Sequence, residues 1–350
     1  SYWYHPHPHR LTGPQVYGGM AGLFLISDQE ERALGLPSGE YDLPVVFQDR
    51  TFGSDNQLVY LRSPMERMNG FLGNRIMTNG RADGSFSVKG RPYRLRVLNG
   101  SNSRMFRLGW GDGSPLRILA TDGGLLNRPL DVPEIMLGPA ERIDLWADFG
   151  DMSAGSEVSL QSLPFNPGGG HMGMMAPRTA LPHGAQYELA RFRVSSSGEG
   201  GTPPPDRLAS LSALDPADAA NADHPRRFHL SMNRMQPTIN GRTFSMSEVA
   251  PDEMVRLGDT EIWEFINTGG MMALPHPMHI HGLSFQVLRR SGGPGYRFAD
   301  QGWKDSVMVM PGERVALIMR FTDHKGLYLY HCHNLEHEDL GMMRNYLIRS

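Results

Sequence analysis

Two blocks of this chain carry the same short signals in the same order, and that repeat constrains its fold more than any other feature. Thr78-Asn79-Gly80-Arg81 returns as Ile239-Asn240-Gly241-Arg242. Gly90-Arg91-Pro92-Tyr93-Arg94-Leu95-Arg96-Val97-Leu98-Asn99-Gly100 answers to Gly258-Asp259-Thr260-Glu261-Ile262-Trp263-Glu264-Phe265-Ile266-Asn267-Thr268. Glu134-Ile135-Met136-Leu137-Gly138-Pro139-Ala140-Glu141-Arg142 answers to Ser306-Val307-Met308-Val309-Met310-Pro311-Gly312-Glu313-Arg314. Short apolar runs between Gly, Pro and Asn turn residues read as strands. With 41 glycines and 26 prolines in 350 residues, the chain favours an all-β class with many turns. That length suits two domains and part of a third. The expected division is a domain tail over 1–36, one β-domain over 37–194, a linker over 195–225 and a second β-domain over 226–350. The stretch Ser195-Ser196-Ser197-Gly198-Glu199-Gly200-Gly201-Thr202-Pro203-Pro204-Pro205 has the composition of a flexible, then stiffened, connection.

Near the C-terminus stands Tyr330-His331-Cys332-His333-Asn334-Leu335-Glu336-His337-Glu338-Asp339-Leu340-Gly341-Met342, which holds the only cysteine. Gly326-Leu327-Tyr328-Leu329-Tyr330 reads as a strand leading into it. Alternation along a strand sends Cys332 to one face and His331 and His333 to the other. One thiolate, two imidazoles and a weak thioether are the ligand set of a blue-copper site. A lone buried cysteine usually serves as a small hydrophobe, but four ligand-type residues around it argue otherwise. Paired cysteines, the usual mark of structural zinc, are lacking.

The second block also carries His276-Pro277-Met278-His279-Ile280-His281-Gly282, where the first has Arg104-Met105-Phe106-Arg107-Leu108. Opposite the Cys332 segment the first block has Val158-Ser159-Leu160-Gln161-Ser162. Metal chemistry therefore belongs to the second block. His279 and His281 share a face, with Ile280 turned away. At the other end, His5, His7 and His9 alternate after Trp3-Tyr4. Alone they would pass for a surface tract, but Gln15 to Ser27, expected as a strand pair broken by glycines, makes them part of a folded segment. His171, His183, His224, His229 and His324 are expected to be ordinary core or surface residues.

Trp3-Tyr4-His5-Pro6-His7, His276-Pro277-Met278-His279-Ile280-His281-Gly282 and His331-Cys332-His333…His337…Met342 resemble three of the four copper motifs of the multicopper oxidases, a family that includes laccases, bilirubin oxidases and copper efflux oxidases. The resemblance covers nearly the whole chain. It implies tandem cupredoxin-like Greek-key β-barrels, with 1–36 as the tail of domain 1 followed by complete domains 2 and 3. It implies four coppers in the complete protein, namely type 1, type 2 and a type 3 pair. His276, Cys332 and His337 would bind type 1, with Met342 axial and Met343 its rival. His279 would bind type 2. His5 and His333 would serve one type 3 copper, and His7, His281 and His331 the other, with His9 beside them as a supporting residue. The family's first motif, a His-X-His-Gly ahead of these three, has no counterpart of its own. An N-terminal fragment of the same polypeptide is expected to supply it as a bound partner.

The resemblance further implies a periplasmic or secreted oxidase that draws electrons from a phenolic or aromatic substrate, or from Cu(I), and passes them through Cys332 to O2. Glu338 matches a carboxylate taken as proton donor in copper efflux oxidases. Met172, Met174 and Met175, with Met271 and Met272, could present thioethers to cuprous ion. Against that, Leu230-Ser231-Met232 and Ile239-Asn240-Gly241 are separated by six residues rather than a long Met-rich insertion. A phenolic substrate is therefore favoured. A formal charge of −3 without basic blocks recommends no nucleic acid, and no apolar run is long enough to span a membrane.

Overall fold

The computed structural model describes residues 1–168, 181–198, 201–233, 235–269 and 273–350. Two β-sandwiches follow one another along the chain. In the first, one sheet runs Ile135–Leu137, Phe106–Trp110, Glu157–Ser162, Tyr187–Ser196, Ser85–Lys89. Its facing sheet runs Arg75–Thr78, Asp42–Arg50, Pro92–Asn99, Arg142–Asp148, Leu116–Thr121, Gly124–Val132. The second sandwich repeats this order with Ser306–Val309, His276–Ile280, Gly326–Cys332, Met343–Arg349, Met254–Arg256 in one sheet. Gln236–Ile239, Arg226–Asn233, Thr260–Asn267, Glu313–Arg320, Phe285–Gly292 form the other. Even the parallel pairs coincide. Asp42–Arg50 lies parallel to Pro92–Asn99 as Arg226–Asn233 does to Thr260–Asn267. Ser85–Lys89 lies parallel to Tyr187–Ser196 as Met254–Arg256 does to Met343–Arg349.

The repeated Arg-Leu-Arg-Val and Ile-Trp-Glu-Phe runs become the central strands Pro92–Asn99 and Thr260–Asn267, buried at every position. One face of each feeds its sandwich core: Leu95 and Val97 with Phe47 and Leu145, and Trp263 and Phe265 with Leu317 and Tyr330. Each such buried side chain contributes roughly 1.5–3 kcal/mol. Between the sandwiches, Arg142 grips the Asp305 carboxylate with both terminal nitrogens, at 2.6 and 2.7 Å, and Lys304 reaches Asp122 at 2.9 Å. These charges are largely out of water, so each holds its partner in one geometry.

The expected strand pair over Gln15 to Ser27 is corrected. Thr12–Tyr17 is helical, and only Gly22–Phe24 is a strand, paired with Tyr2–Tyr4. Tertiary contacts override the glycine pattern. The Asp339 carboxylate accepts the free N–H groups of Thr12 and Gly13 at 3.1 and 2.9 Å, and Pro14 fits a first helical turn. Val16 and Tyr17 are buried, Tyr17 against Tyr60 and Phe71. The connection is also less free than its composition suggests: Leu208 is buried, and its N–H reaches the Asn127 carbonyl. Farther on, Gln286 holds Ser212 and Leu214. Met172, Met174, Met175, Met271, Met272 and His171 lie outside the described residues.

Candidate metal centre

Strand register sorts the ligand-type side chains into two groups. His276–Ile280 pairs with Gly326–Cys332 so that Met278 faces Cys332 and His279 faces His331. Side chains one residue apart point to opposite faces. His276, Met278, Ile280 and Cys332 thus turn toward the second core, while His279, His281, His331 and His333 turn the other way. On the core side, Cys332 Sγ is 3.4 Å from His276 Nδ1 and 3.7 Å from His337 Nδ1. His337 comes from the short helix Leu335–Asp339, whose Asn334 side chain accepts the His337 N–H. All three are buried, and Met342 is buried in the same core cluster as Cys332.

On the other face the imidazoles meet by their Nε2 atoms. His331 Nε2 is 3.0 Å from His281 Nε2 and 3.2 Å from His7 Nε2, and His333 Nε2 is 3.3 Å from His5 Nε2. The His279 ring centroid is 4.8 Å from that of His281 and 5.4 Å from that of His331. Trp3 lies against His5 and His333. His9 instead packs on Phe244 at 4.8 Å.

The donor atoms are prepared for a cation. Assigned from hydrogen-bond partners, the protons sit on the outward nitrogens: His337 Nε2 donates to the Met68 carbonyl at 2.8 Å, His279 Nδ1 to the Asp305 carbonyl at 2.7 Å, His5 Nδ1 to the Pro6 carbonyl at 2.9 Å. His331 Nδ1 faces Glu338 at 3.2 Å. The lone pairs of His337 Nδ1, His279 Nε2 and His5 Nε2 are thereby turned toward their neighbouring ligand-type groups, where a positive ion would be favoured. Spacings of 3.0 to 3.3 Å suit two nitrogens each about 2 Å from one ion. Burial favours the neutral, metal-binding form of His276, His281 and His333, and brings His279 and His337 down to about 4. Burial also pushes the Cys332 thiol well up, so its sulfur becomes a thiolate only beside a cation. Thiolate, imidazole and thioether together suit copper.

Glu338 is buried between the two histidine arms, 3.2 Å from His331 Nδ1 and 3.6 Å from His7 Nδ1. Burial alone would raise its carboxyl, but the imidazoles of His331 and His7 outweigh it and hold the group at about 2.

The family model described as multicopper oxidase matches residues 219–350. A laccase of Haloferax volcanii is 36% identical over 99% of this chain and 59% of its own length. A laccase of Bacillus subtilis is 32% identical over 98% of this chain and 69% of its own. The crystal structure of the McoA multicopper oxidase of Aquifex aeolicus superposes with a TM-score of 0.86 at 38% identity, covering 99% of this chain and 75% of that one.

The chain belongs to the multicopper oxidases.

Its fold is accordingly the all-β, cupredoxin-like architecture of that family, and it spans about three fifths of the length of the Haloferax laccase. Several residues around this multicopper-oxidase site went unmarked in the sequence. Asp305 supplies the carbonyl that orients His279, while Arg142 holds its carboxylate from the first sandwich. Met68 orients His337 across 269 residues of chain. Glu336 is fully buried and accepts from Tyr60 Oη at 2.7 Å, Asn102 Nδ2 at 2.9 Å, the Phe71 N–H at 2.9 Å and the Ser103 hydroxyl. It ties the His337 helix to the first sandwich. Its place beside His337 was the available signal, but its partners are too distant in sequence to read.

Proposed function

We propose that this chain carries the chemistry of a laccase-like oxidase, coupling one-electron oxidation of phenolic or aromatic reductants to the four-electron reduction of O2 to water. The carrying observation is the placement of a sulfur-bearing triad and an imidazole cluster on opposite faces of one strand, joined through His331-Cys332-His333. His276, Cys332 and His337 would hold the type 1 copper with Met342 as a further sulfur ligand, His279 the type 2, and His5, His7, His281, His331 and His333 the type 3 pair. Held there, copper would supply one-electron chemistry at the sulfur-bearing triad and dioxygen reduction at the imidazoles. Cys332 provides a bonded electron route into His331 and His333, since they are its chain neighbours. The Met68 carbonyl and the Asp305 carbonyl keep His337 and His279 in the ligating tautomer. Glu338, 3.2 Å from His331 Nδ1 and 3.6 Å from His7 Nδ1, can carry protons toward the cluster, the role we assign it as proton donor.

The remaining two histidines of a full trinuclear site come, in this reading, from a further N-terminal piece of the same polypeptide. The hairpin of Tyr2–Tyr4 and Gly22–Phe24 supports it, because Tyr2, Tyr4, Met20, Phe24, Leu25 and Ile26 are exposed there together, the kind of patch another surface covers. We further propose export to the periplasm or beyond; among the described residues no helix is long and apolar enough to cross a membrane.

One observation favours a second reading, oxidation of cuprous ion. Met65, Met68 and Met232 pack with Leu274 beside the His337 contact, and thioethers suit Cu(I). An electron carrier without oxidase activity would leave the imidazole cluster without a purpose. Oxygen uptake by the copper-loaded protein, with its N-terminal piece, separates the three. Uptake with a phenol is the expected result, uptake with cuprous ion alone supports the second reading, and none with either overturns both.

A further inference from the structure

His337 is fully buried and His276 is 4% exposed, so a reductant must pass its electron through an intermediary. The Met68 backbone is in place for this, its carbonyl bonded to His337 Nε2. Met68 also lines an open cavity of about 480 Å³ with Leu61, Pro64, Met235 and Leu340, within the size range of small-molecule sites. Met235 stands at φ +68°, a left-handed conformation that costs a side-chain-bearing residue energy, and its exposed thioether forms an outer wall.

Two arginines complete the lining, Arg62 and Arg67. Glu66 Oε1 lies 3.3 Å from Arg62 Nη2, but the other Glu66 oxygen is committed to the backbone N–H groups of Arg62 and Ser63. Arg67 is exposed, and among the described residues no carboxylate pairs with its guanidinium. The cavity thus combines an apolar, thioether-bearing lining with a positive rim.

We propose that the reductant taken by this cavity is an anionic aromatic, a phenol bearing a carboxylate or sulfonate, with its ring against Met235 beside the Met68 backbone and its charge on Arg67 and, beyond it, Arg62. The inference rests on the oxidase reading above and gives its substrate class. A phenol bound this way would give up one electron by way of the Met68 carbonyl and His337, to copper if it is held by the triad, and its hydroxyl proton to solvent, becoming a phenoxyl radical. A neutral phenol meets only the lining, and a cuprous ion meets the positive charge of Arg67, unpaired among the described residues, at the entrance.

The test compares syringic acid, ionised near neutral pH, with its uncharged methyl ester on the copper-loaded protein and on the Arg62→Gln/Arg67→Gln double variant. The ratio of kcat/KM for acid over ester is expected to fall about ten-fold in the variant, with a weaker dependence on salt, the combined size of two exposed charge contacts. A second measurement needs no copper: calorimetric binding of 3,4,5-trimethoxybenzoate, which has no phenolic hydroxyl, to the copper-free protein should weaken similarly. An acid-to-ester ratio unchanged in the variant, or trimethoxybenzoate binding unchanged, overturns the anion site while leaving the oxidase reading intact. If the benzoate binds through the arginines but neither phenol drives oxygen uptake, the anion site stands and the oxidase reading fails.

Discussion

The two sandwiches share strand order, parallel pairs and turn signals, yet among the described residues only one gathers metal-ligating side chains. Register allows a position-by-position comparison. Ile135 and Leu137 pair with Leu108 and Phe106 as Val307 and Val309 pair with Met278 and His276. Ser162 lies opposite Leu108 as Cys332 lies opposite Met278. The first sandwich therefore has Phe106 where the second has His276, Gly109 for His279, Gln161 for His331 and Ser162 for Cys332. The scaffold is indifferent to which set it carries, and function resides in a few side chains on two neighbouring strands. The first sandwich is not a bystander, however. From it, or from the segments packed on it, come Arg142 for Asp305, Met68 for His337 and the partners of Glu336. The second sandwich, with His5 and His7 from the N-terminal segment, holds the donors, and the first helps to fix where they point.

The sharpest break of that contrast is Cys332→Ser. It removes the sulfur from the centre of the donor set, so the intense thiolate absorption should vanish and phenol-driven oxygen uptake should fall more than about 100-fold, beyond the loss typical of an outer-shell residue. Circular dichroism should keep its β signature, because a buried serine stands at the matching position of the first sandwich. Retained blue colour would remove Cys332 from the site.

Next in size is Glu338→Gln. Its amide matches the carboxyl in size, and His331 Nδ1 keeps the Cys332 carbonyl at 3.2 Å, so ligand orientation and the blue band should persist. What the variant loses is the capacity to carry a proton, and reoxidation by O2 in stopped flow should slow about 100-fold, the lower range for a proton-transfer group. Unchanged turnover would reduce Glu338 to an orienting residue.

The sequence disclosed the repeat, the all-β class and the residues that meet at the site, because strand alternation and motif spacing are local properties. Cys332 against His331 and His333, and His279 with His281 against Ile280, follow from the period of a strand alone. The helix Thr12–Tyr17 was illegible because its cap is Asp339, 327 residues away. Asp305, Met68 and Glu336 escaped for the same reason: their roles exist only where two sandwiches touch. Glu338 showed as a candidate, but its burial between His7 and His331 depends on the N-terminal segment folding back across the second sandwich.

The smallest effect is expected from the reciprocal change, Ser162→Cys in the first sandwich. It places a thiol at the position matching Cys332, buried and on the same strand of the same sheet. The neighbours that would make it a ligand differ: Phe106 occupies the His276 position, and Pro167 stands five residues after Ser162, where His337 stands five after Cys332. What it gives up is a 3.4 Å contact between its hydroxyl and the Arg107 N–H, so the cost should be about 1 kcal/mol. The spectrum of the copper-loaded variant should be indistinguishable from that of the parent. A second blue band would mean that a cysteine on this scaffold suffices to recruit copper, and that the histidines at 276 and 337 matter less than their convergence on Cys332 indicates.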